Sequence, residues 1–290
     1  MAKPAYDPSS PSPACEVCTA PYLAWQIEKN CVLWRCPRCG HIERDIALST
    51  ANARSLEYGG DPQADAFRRR LTQRRILAAT QGRRGRLLDV GCGDGSLARQ
   101  LASDFTSVVG IDRHAASVVE GNVVLEDATF ESFEAAAHSF DAITAIHVLE
   151  HVNDLAATLE HCHSLLVDGG VFYAITPNAS SASLRVFREH WWMLEDPTHR
   201  RFLSEDSALN VLESAGFDSV TVTGLITDSL MCPAASAARS MKGELAPQGV
   251  LASRAARYAA LVSTPAVAAL RAVRPQWRDS IEIVARKSPQ

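Results

Sequence analysis

The stretch Leu87-Leu88-Asp89-Val90-Gly91-Cys92-Gly93-Asp94-Gly95-Ser96-Leu97-Ala98-Arg99 runs from an apolar strand pattern, through three alternating glycines, into the start of a helix. Glycines at such a turn permit positive φ and close approach of a ligand to the backbone, and a helix start leaves N–H groups unpaired. The spacing Gly-x-Gly-x-Gly is one residue tighter than the Gly-x-Gly-x-x-Gly that seats a dinucleotide pyrophosphate. A tight loop beside Asp89 suits a zwitterionic ligand with no pyrophosphate. One βα unit later, Val109-Gly110-Ile111-Asp112 puts a carboxylate at a strand end, where it can accept from both hydroxyls of a ribose. A third strand closes on Leu125-Glu126-Asp127-Ala128, and Asp127 is placed to accept from an adenine amino group.

Outward from this loop the pattern alternates. Strands are expected at 86–90, 108–112, 123–125, 142–146, 171–176, 219–224 and 280–285, and helices at 64–80, 96–103, 154–166 and 205–215. Short apolar strands alternating with helices imply an α/β, doubly wound, mostly parallel sheet covered on both faces. The 290 residues, 47% of them hydrophobic, suffice for one such domain and a small appendage. A net charge of -4 argues against a surface built throughout to grip nucleic acid or anionic lipid. The first residues carry no apolar core of the signal-peptide kind, and no charge-free apolar run reaches the ~20 residues of a membrane span. A cytoplasmic location is expected.

Four of the eight cysteines form Cys15-Glu16-Val17-Cys18 and Cys36-Pro37-Arg38-Cys39, separated by seventeen residues. Two such knuckles with strands between them bring Cys15, Cys18, Cys36 and Cys39 into a tetrahedron and predict a structural zinc ribbon; free thiols in redox use are the other reading. Cys31, between the pairs, reads as a small buried apolar residue or a swapped ligand. The expected domains are a disordered tail over 1–13, the ribbon over 14–48, a helical linker or lid over 49–81, and the α/β domain over 82–290.

On the Gly91–Gly95 loop, Asp112, Asp127, the segment 139–152 and the turn Leu165-Leu166-Val167-Asp168-Gly169-Gly170-Val171-Phe172, the chain resembles the class I S-adenosylmethionine (SAM)-dependent methyltransferases over most of 85–287. The resemblance implies their Rossmann-like seven-stranded fold, with an antiparallel last strand, and SAM as cofactor. Carried over by position, Asp89, Gly91, Gly93 and Gly95 surround the methionine moiety, Asp112 holds the ribose, and Asp127 with Ala128 flanks the adenine. Cys92, Arg113, Ile146 and His147 complete the implied cofactor set.

Two stretches bear on the methyl acceptor. In His147-Val148-Leu149-Glu150-His151, the i, i+3, i+4 spacing would put His147, Glu150 and His151 on one helical face as a second divalent-metal site. Related acidic-x-x-Glu-His patterns bind metal in similar methyltransferases of ubiquinone biosynthesis and small-RNA end modification. Similar strings occur in metal-independent members, where Glu150 and His151 shape the pocket. The second stretch, Trp191-Trp192-Met193-Leu194-Glu195-Asp196-Pro197-Thr198-His199-Arg200-Arg201-Phe202-Leu203-Ser204, resembles a segment of methyltransferases acting on sugars, quinones and related molecules. It makes His199 a candidate general base, with His147 and His151 as further catalytic candidates. Alternatively, His199 caps or buttresses the helix that follows.

These readings converge on methyl transfer to an O or N atom of a small molecule: a sugar, quinone or secondary metabolite. The alternatives are an RNA methyltransferase using the ribbon and the clusters Arg68-Arg69-Arg70, Arg74-Arg75 and Arg83-Arg84-Arg86, or a SAM-binding protein with other chemistry, such as SAM cyclisation. Nucleic acid is disfavoured, because residues 1–48 carry five basic and five acidic side chains. The Ala-rich segment 251–273, broken by Pro265, is expected as a pair of helices covering a pocket or touching a membrane surface, and a homodimer remains open.

Overall fold

The computed structural model describes residues 12–28, 31–44, 62–241 and 249–289. The expected tail up to residue 11, much of the linker and the side chain of Cys31 lie outside the described residues. In chain order the elements are β1 (Leu23–Glu28), β2 (Cys31–Arg35), β3 (Ile42–Arg44), α1 (Pro62–Ala79), β4 (Arg86–Val90), α2 (Ser96–Leu101), β5 (Ser107–Asp112), β6 (Val118–Glu120) and β7 (Val123–Asp127). They continue as β8 (Phe140–Ile146), α3 (Leu155–Leu165), β9 (Leu166–Pro177), α4 (Ala182–Phe187), β10 (Arg201–Phe202), α5 (Glu205–Ser214), β11 (Ser219–Gly224), α6 (Cys232–Met241), α7 (Arg254–Val273) and β12 (Ser280–Arg286). They fall into two compact units.

The sheet unit comprises Asp61–Thr176, Ala208–Thr223 and Glu282–Gln290. Its strands run in the order β11-β12-β9-β8-β4-β5-β7-β6, with β9, β8, β4, β5 and β7 mutually parallel. Leu87, Leu88, Val108, Ile143 and Phe172 are almost wholly buried, which is why these strands read as continuous apolar runs rather than alternating ones. Helix α3 starts where it does because the Asp154 carboxylate accepts the Ala157 N–H at 2.9 Å. Next to the edge strand β11, β12 is antiparallel to both its neighbours: the Gly169 N–H donates to the Lys287 carbonyl, and the Asp218 N–H to that of Arg286. The expected seven strands become eight. The addition is β6, a three-residue antiparallel edge strand on β7, too short and too exposed to carry an apolar signature.

The ribbon unit comprises Met1–Gly60, Pro177–Ser207 and Gly224–Ile281. Its sheet has the order β1-β2-β3-β10, with Ile42 paired to Phe202 and Glu43 to Arg201. The strands expected in the ribbon over 14–48 thus share their sheet with a strand from residues 201–202. Ile27, Leu33 and Ile42 bury their side chains in one cluster with Trp191, Met193, Leu194 and Phe202, because two short knuckles cannot enclose a core of their own. Ser204 and Ser207 cap α5 reciprocally, each backbone N–H donating to the other's hydroxyl at 2.8–3.0 Å.

One helix, not two, spans the Ala-rich segment: α7 continues through Pro265. Proline removes the N–H that would bond to the Leu261 carbonyl. The Thr264 hydroxyl donates to that carbonyl instead, at 2.8 Å, and the Ser263 hydroxyl donates to Ala260 at 2.8 Å. Among the described residues no helix is long and apolar enough to cross a membrane.

Candidate functional site

The glycine loop emerges from β4 on the sheet unit. Parallel pairing sets Asp89 opposite Thr144 of β8, and the Thr144 hydroxyl donates to Asp89 Oδ1 at 2.7 Å. The other oxygen, Oδ2, is buried and has no hydrogen-bond partner among the described residues. Burial pushes the Asp89 carboxyl up to about 7, the nearby Asp112 adding to the shift and the Thr144 bond opposing it. A buried oxygen with unspent accepting capacity suits a cationic or N–H ligand group.

The loop's shape is set by its glycines. Gly91 has φ +70, and a Cβ there would collide with Val148 Cγ2. Gly93 has φ +56, with nothing near its missing Cβ, so its backbone faces open space. The Gly93 N–H donates to Asp112 Oδ2 at 3.1 Å and the His114 N–H to Oδ1 at 2.9 Å, so both carboxylate oxygens are oriented by backbone. Asp127 is exposed at the end of the next strand, and the Ala128 N–H is bonded to the Asp112 carbonyl at 3.3 Å. Asp112, Asp127 and the glycine loop thus stand at the C-terminal ends of adjacent parallel strands, the ligand-binding side of such sheets. Cys92 is buried, and burial together with Asp89 and Asp112 pushes its thiol up to about 12. It is a space-filling thiol there.

His147 follows β8 at φ +56, a costly conformation for a side chain with a Cβ. Its N–H still bonds the Ile175 carbonyl at 2.7 Å. Its Nδ1 lies 3.2 Å from Glu150 Oε1, while the Thr176 hydroxyl donates to Glu150 Oε2 at 3.0 Å. Residues 147–151 form a turn rather than a helix. The helical-face geometry expected for a second metal is thus absent, and His147, Glu150 and His151 do not converge as a three-ligand set among the described residues.

In the ribbon unit, His199 is 1% exposed. Its Nδ1 lies 2.7 Å from the Met193 carbonyl; a carbonyl only accepts, so Nδ1 carries the proton and neutral His199 keeps its lone pair on Nε2. That Nε2 is 4.0 Å from Asp196 Oδ2. Asp196 Oδ1 accepts from both the Thr198 N–H (2.8 Å) and its hydroxyl (2.6 Å), which fixes the carboxylate beside the imidazole. Ser204 caps α5.

The four knuckle sulfurs lie within 4.8 Å of one another, with Cys15–Cys39 at 3.7 Å and Cys18–Cys36 at 3.4 Å. A tetrahedron with Zn–S of about 2.3 Å has edges of ~3.8 Å, so the sulfur positions suit zinc. Between the first pair, Glu16 accepts from His41 Nε2 at 2.8 Å and takes Arg201 in a two-point grip at 2.7 and 3.1 Å. Burial alone would raise the Glu16 carboxyl; the bonds from His41 and Arg201 hold it down at about 2.

A sequence profile described as a methyltransferase domain matches residues 63–222, more than half of the chain. The chain belongs to the methyltransferase-domain family.

Among curated methyltransferases, the ubiquinone biosynthesis O-methyltransferase of Dinoroseobacter shibae is 32% identical over 162 residues, covering 50% of this chain and 64% of that protein. The mitochondrial protein of the same name from Homo sapiens is 31% identical over 160 residues, covering 49% of this chain and 43% of that one. The chain therefore spans less than two thirds of the length of these relatives. A phosphoethanolamine N-methyltransferase of Haemonchus contortus, solved with S-adenosyl-L-methionine, superposes with a TM-score of 0.52 at 17% identity, covering 76% of this chain and 53% of that one. A SAM-dependent methyltransferase from Mesorhizobium loti superposes with a TM-score of 0.52 at 18% identity, covering 77% of this chain and 100% of that one. At such identities the likeness is one of fold, and it is the Rossmann-like methyltransferase fold expected from the loop.

Within this methyltransferase domain, β4, β5, β7 and β8 bring Asp89, the glycine loop, Asp112, Asp127 and Ile146 to one edge of the sheet. Thr144 went unnoticed in the sequence, although a lone hydroxyl in the apolar run Ala142-Ile143-Thr144-Ala145-Ile146 was its signal. Arg44, Glu16 and Arg201 were also missed, since their partners are remote in sequence. The arginine clusters are partly engaged within the sheet unit: Arg75 pairs with Glu282 at 3.3 Å, and Arg86 lies over the Phe140 ring at 4.7 Å.

Proposed function

We propose that this protein is a SAM-dependent methyltransferase that acts on an O or N atom of a small molecule. The observation that carries the donor side is the buried Asp89, with one oxygen anchored by Thr144 and the other unpartnered, beneath a loop whose Gly93 backbone faces open space. SAM supplies an electrophilic methyl group on a sulfonium. On this reading Asp89 and the Gly91–Gly95 loop receive the methionine end, the α-ammonium completing Asp89 Oδ2. Asp112 accepts from the ribose, Asp127 and Ala128 flank the adenine, and Cys92, Arg113, Ile146 and His147 close the surroundings.

On the acceptor side, His199 serves as general base, with His147 and His151 as secondary candidates. The neutral tautomer of His199, proton on Nδ1 and lone pair on Nε2, is the form a base requires, and Asp196 Oδ2 lies 4.0 Å from that Nε2. The name shared by the curated relatives supports a hydroxyl acceptor, with quinone-like phenols ahead of sugars and other metabolites. The four cysteines hold a structural zinc.

The test is incubation with methyl-labelled SAM and a panel of catechols, hydroxyquinones, sugars and amines. The expected result is label transfer to one class with stoichiometric S-adenosylhomocysteine, lost in Asp89→Asn. SAM consumption that yields methylthioadenosine and no methylated product would overturn it.

A further inference from the structure

The cysteine knuckles and the segment 193–204 are joined by several buried and part-buried polar contacts, and these contacts share a target. Arg44, buried at the end of β3, donates from Nη1 to the Asp196 carbonyl at 2.6 Å and from Nη2 to the Leu194 carbonyl at 3.2 Å. Its own N–H donates to the Arg200 carbonyl at 2.7 Å. The gripped carbonyls lie immediately beside the two groups that orient His199, the Met193 carbonyl at Nδ1 and the Asp196 carboxylate near Nε2. Both knuckles hold the same segment further along: Glu16, between Cys15 and Cys18, grips Arg201, and the Ser204 hydroxyl donates to the Cys39 carbonyl.

We propose that the four-cysteine metal centre is a positioning device for residues 193–204, and that Arg44 is the positioning residue through which it sets the orientation of His199. The inference rests on the reading of His199 as the acceptor-side base. A guanidinium suits the task because its planar fork spans two carbonyls at once, which an ammonium cannot do in a fixed geometry. A buried fork also fixes the backbone more tightly than a surface ion pair. The metal acts at a distance in this scheme. It holds the knuckles, the knuckles hold β3 and Glu16, and these hold the segment.

The experiment uses the full chain with hydrogen–deuterium exchange read by mass spectrometry, before and after zinc is stripped with a chelator. Exchange over 193–204 is expected to rise at least tenfold on stripping, while Leu155–Leu165 in the sheet unit keeps its protection and the Kd for SAM stays within twofold. Arg44→Met should reproduce the local rise with one zinc still bound, and lower kcat about tenfold or more, as expected for a misplaced catalytic group, with the KM for SAM unchanged. Arg44→Lys should fall between, and it serves as the working variant if Arg44→Met does not fold. Unchanged exchange over 193–204 after stripping, or an equal rise over Leu155–Leu165, would overturn the proposal. His199→Ala separates the two readings: undiminished turnover there sinks the base assignment, while the exchange data still decide whether the metal positions the segment.

Discussion

If Asp89 receives the α-ammonium of SAM as proposed above, the affinity for SAM depends on pH in a range where most carboxylates are silent. In the ligand-free protein, burial lifts the Asp89 carboxyl from an ordinary 3.8 to about 7. On that reading the α-ammonium requires the ionised form, so affinity is expected to fall as pH drops through that value. At pH 8 about nine tenths of the population is ionised and at pH 5 about one hundredth, a ninetyfold weakening of Kd, or ~2.7 kcal/mol at ~1.4 kcal/mol per pH unit. Had Asp89 kept its ordinary acidity, the same interval would change Kd by less than about a tenth. The same raised value means that the ligand-free fold binds a proton the unfolded chain has released between pH ~4 and ~7. That contribution to stability is present below pH ~4 and lost as pH rises toward ~7. Added SAM should therefore raise Tm more at pH 8 than at pH 5. Isothermal titration of SAM from pH 5 to 8.5, with Asp89→Asn as control, reads the effect directly. A flat profile in the wild type, or the same slope in Asp89→Asn, would refute the reasoning.

Three further outcomes follow from single contacts. Thr144→Val removes the hydroxyl bonded to Asp89 Oδ1 and should cost about 1–3 kcal/mol in the ionised state, moving the midpoint of the SAM-binding profile to higher pH; an unmoved midpoint would show that the bond does not tune Asp89. Gly91→Ala places a Cβ against Val148 at positive φ and should destabilise the fold by about 1–3 kcal/mol, seen as a lower Tm together with weaker SAM binding; a wild-type Tm would exclude the collision. The wild type should carry one zinc per chain by elemental analysis, and the double substitution Cys36→Ser with Cys39→Ser should carry none; retention of the metal would move the site elsewhere.

Much of the sheet unit was legible in the chain because strand burial is local information. Runs such as Arg86–Val90 and Ser219–Gly224 declare themselves with their ends in place, and the three acids follow from the ends of their strands. What escaped notice depends on pairing across sequence. Thr144 acquires meaning only when parallel register sets it opposite Asp89. Strand β10 is two residues long and exists because β3 presents an edge to it. Continuation of α7 through Pro265 turns on two neighbouring hydroxyls that replace a missing backbone donor, a compensation that hydrophobic periodicity does not register. The i, i+3, i+4 spacing of His147, Glu150 and His151 misled for the converse reason: it reads as one helical face, whereas the backbone turns there with His147 at positive φ.

The pairing of Ile42–Arg44 with Arg201–Phe202 carries a consequence for how the molecule is made. During synthesis the four-cysteine knuckles emerge ahead of the strand that closes their sheet, which follows more than 150 residues later. Throughout that interval β3 is an uncapped edge with free backbone donors and acceptors, the kind of edge that pairs with foreign strands. So late a closure between distant segments also slows folding. Any fragment ending before residue 200 keeps that edge open for good. It should associate through it, while a chain that includes Arg201–Phe202 closes it with a segment of its own.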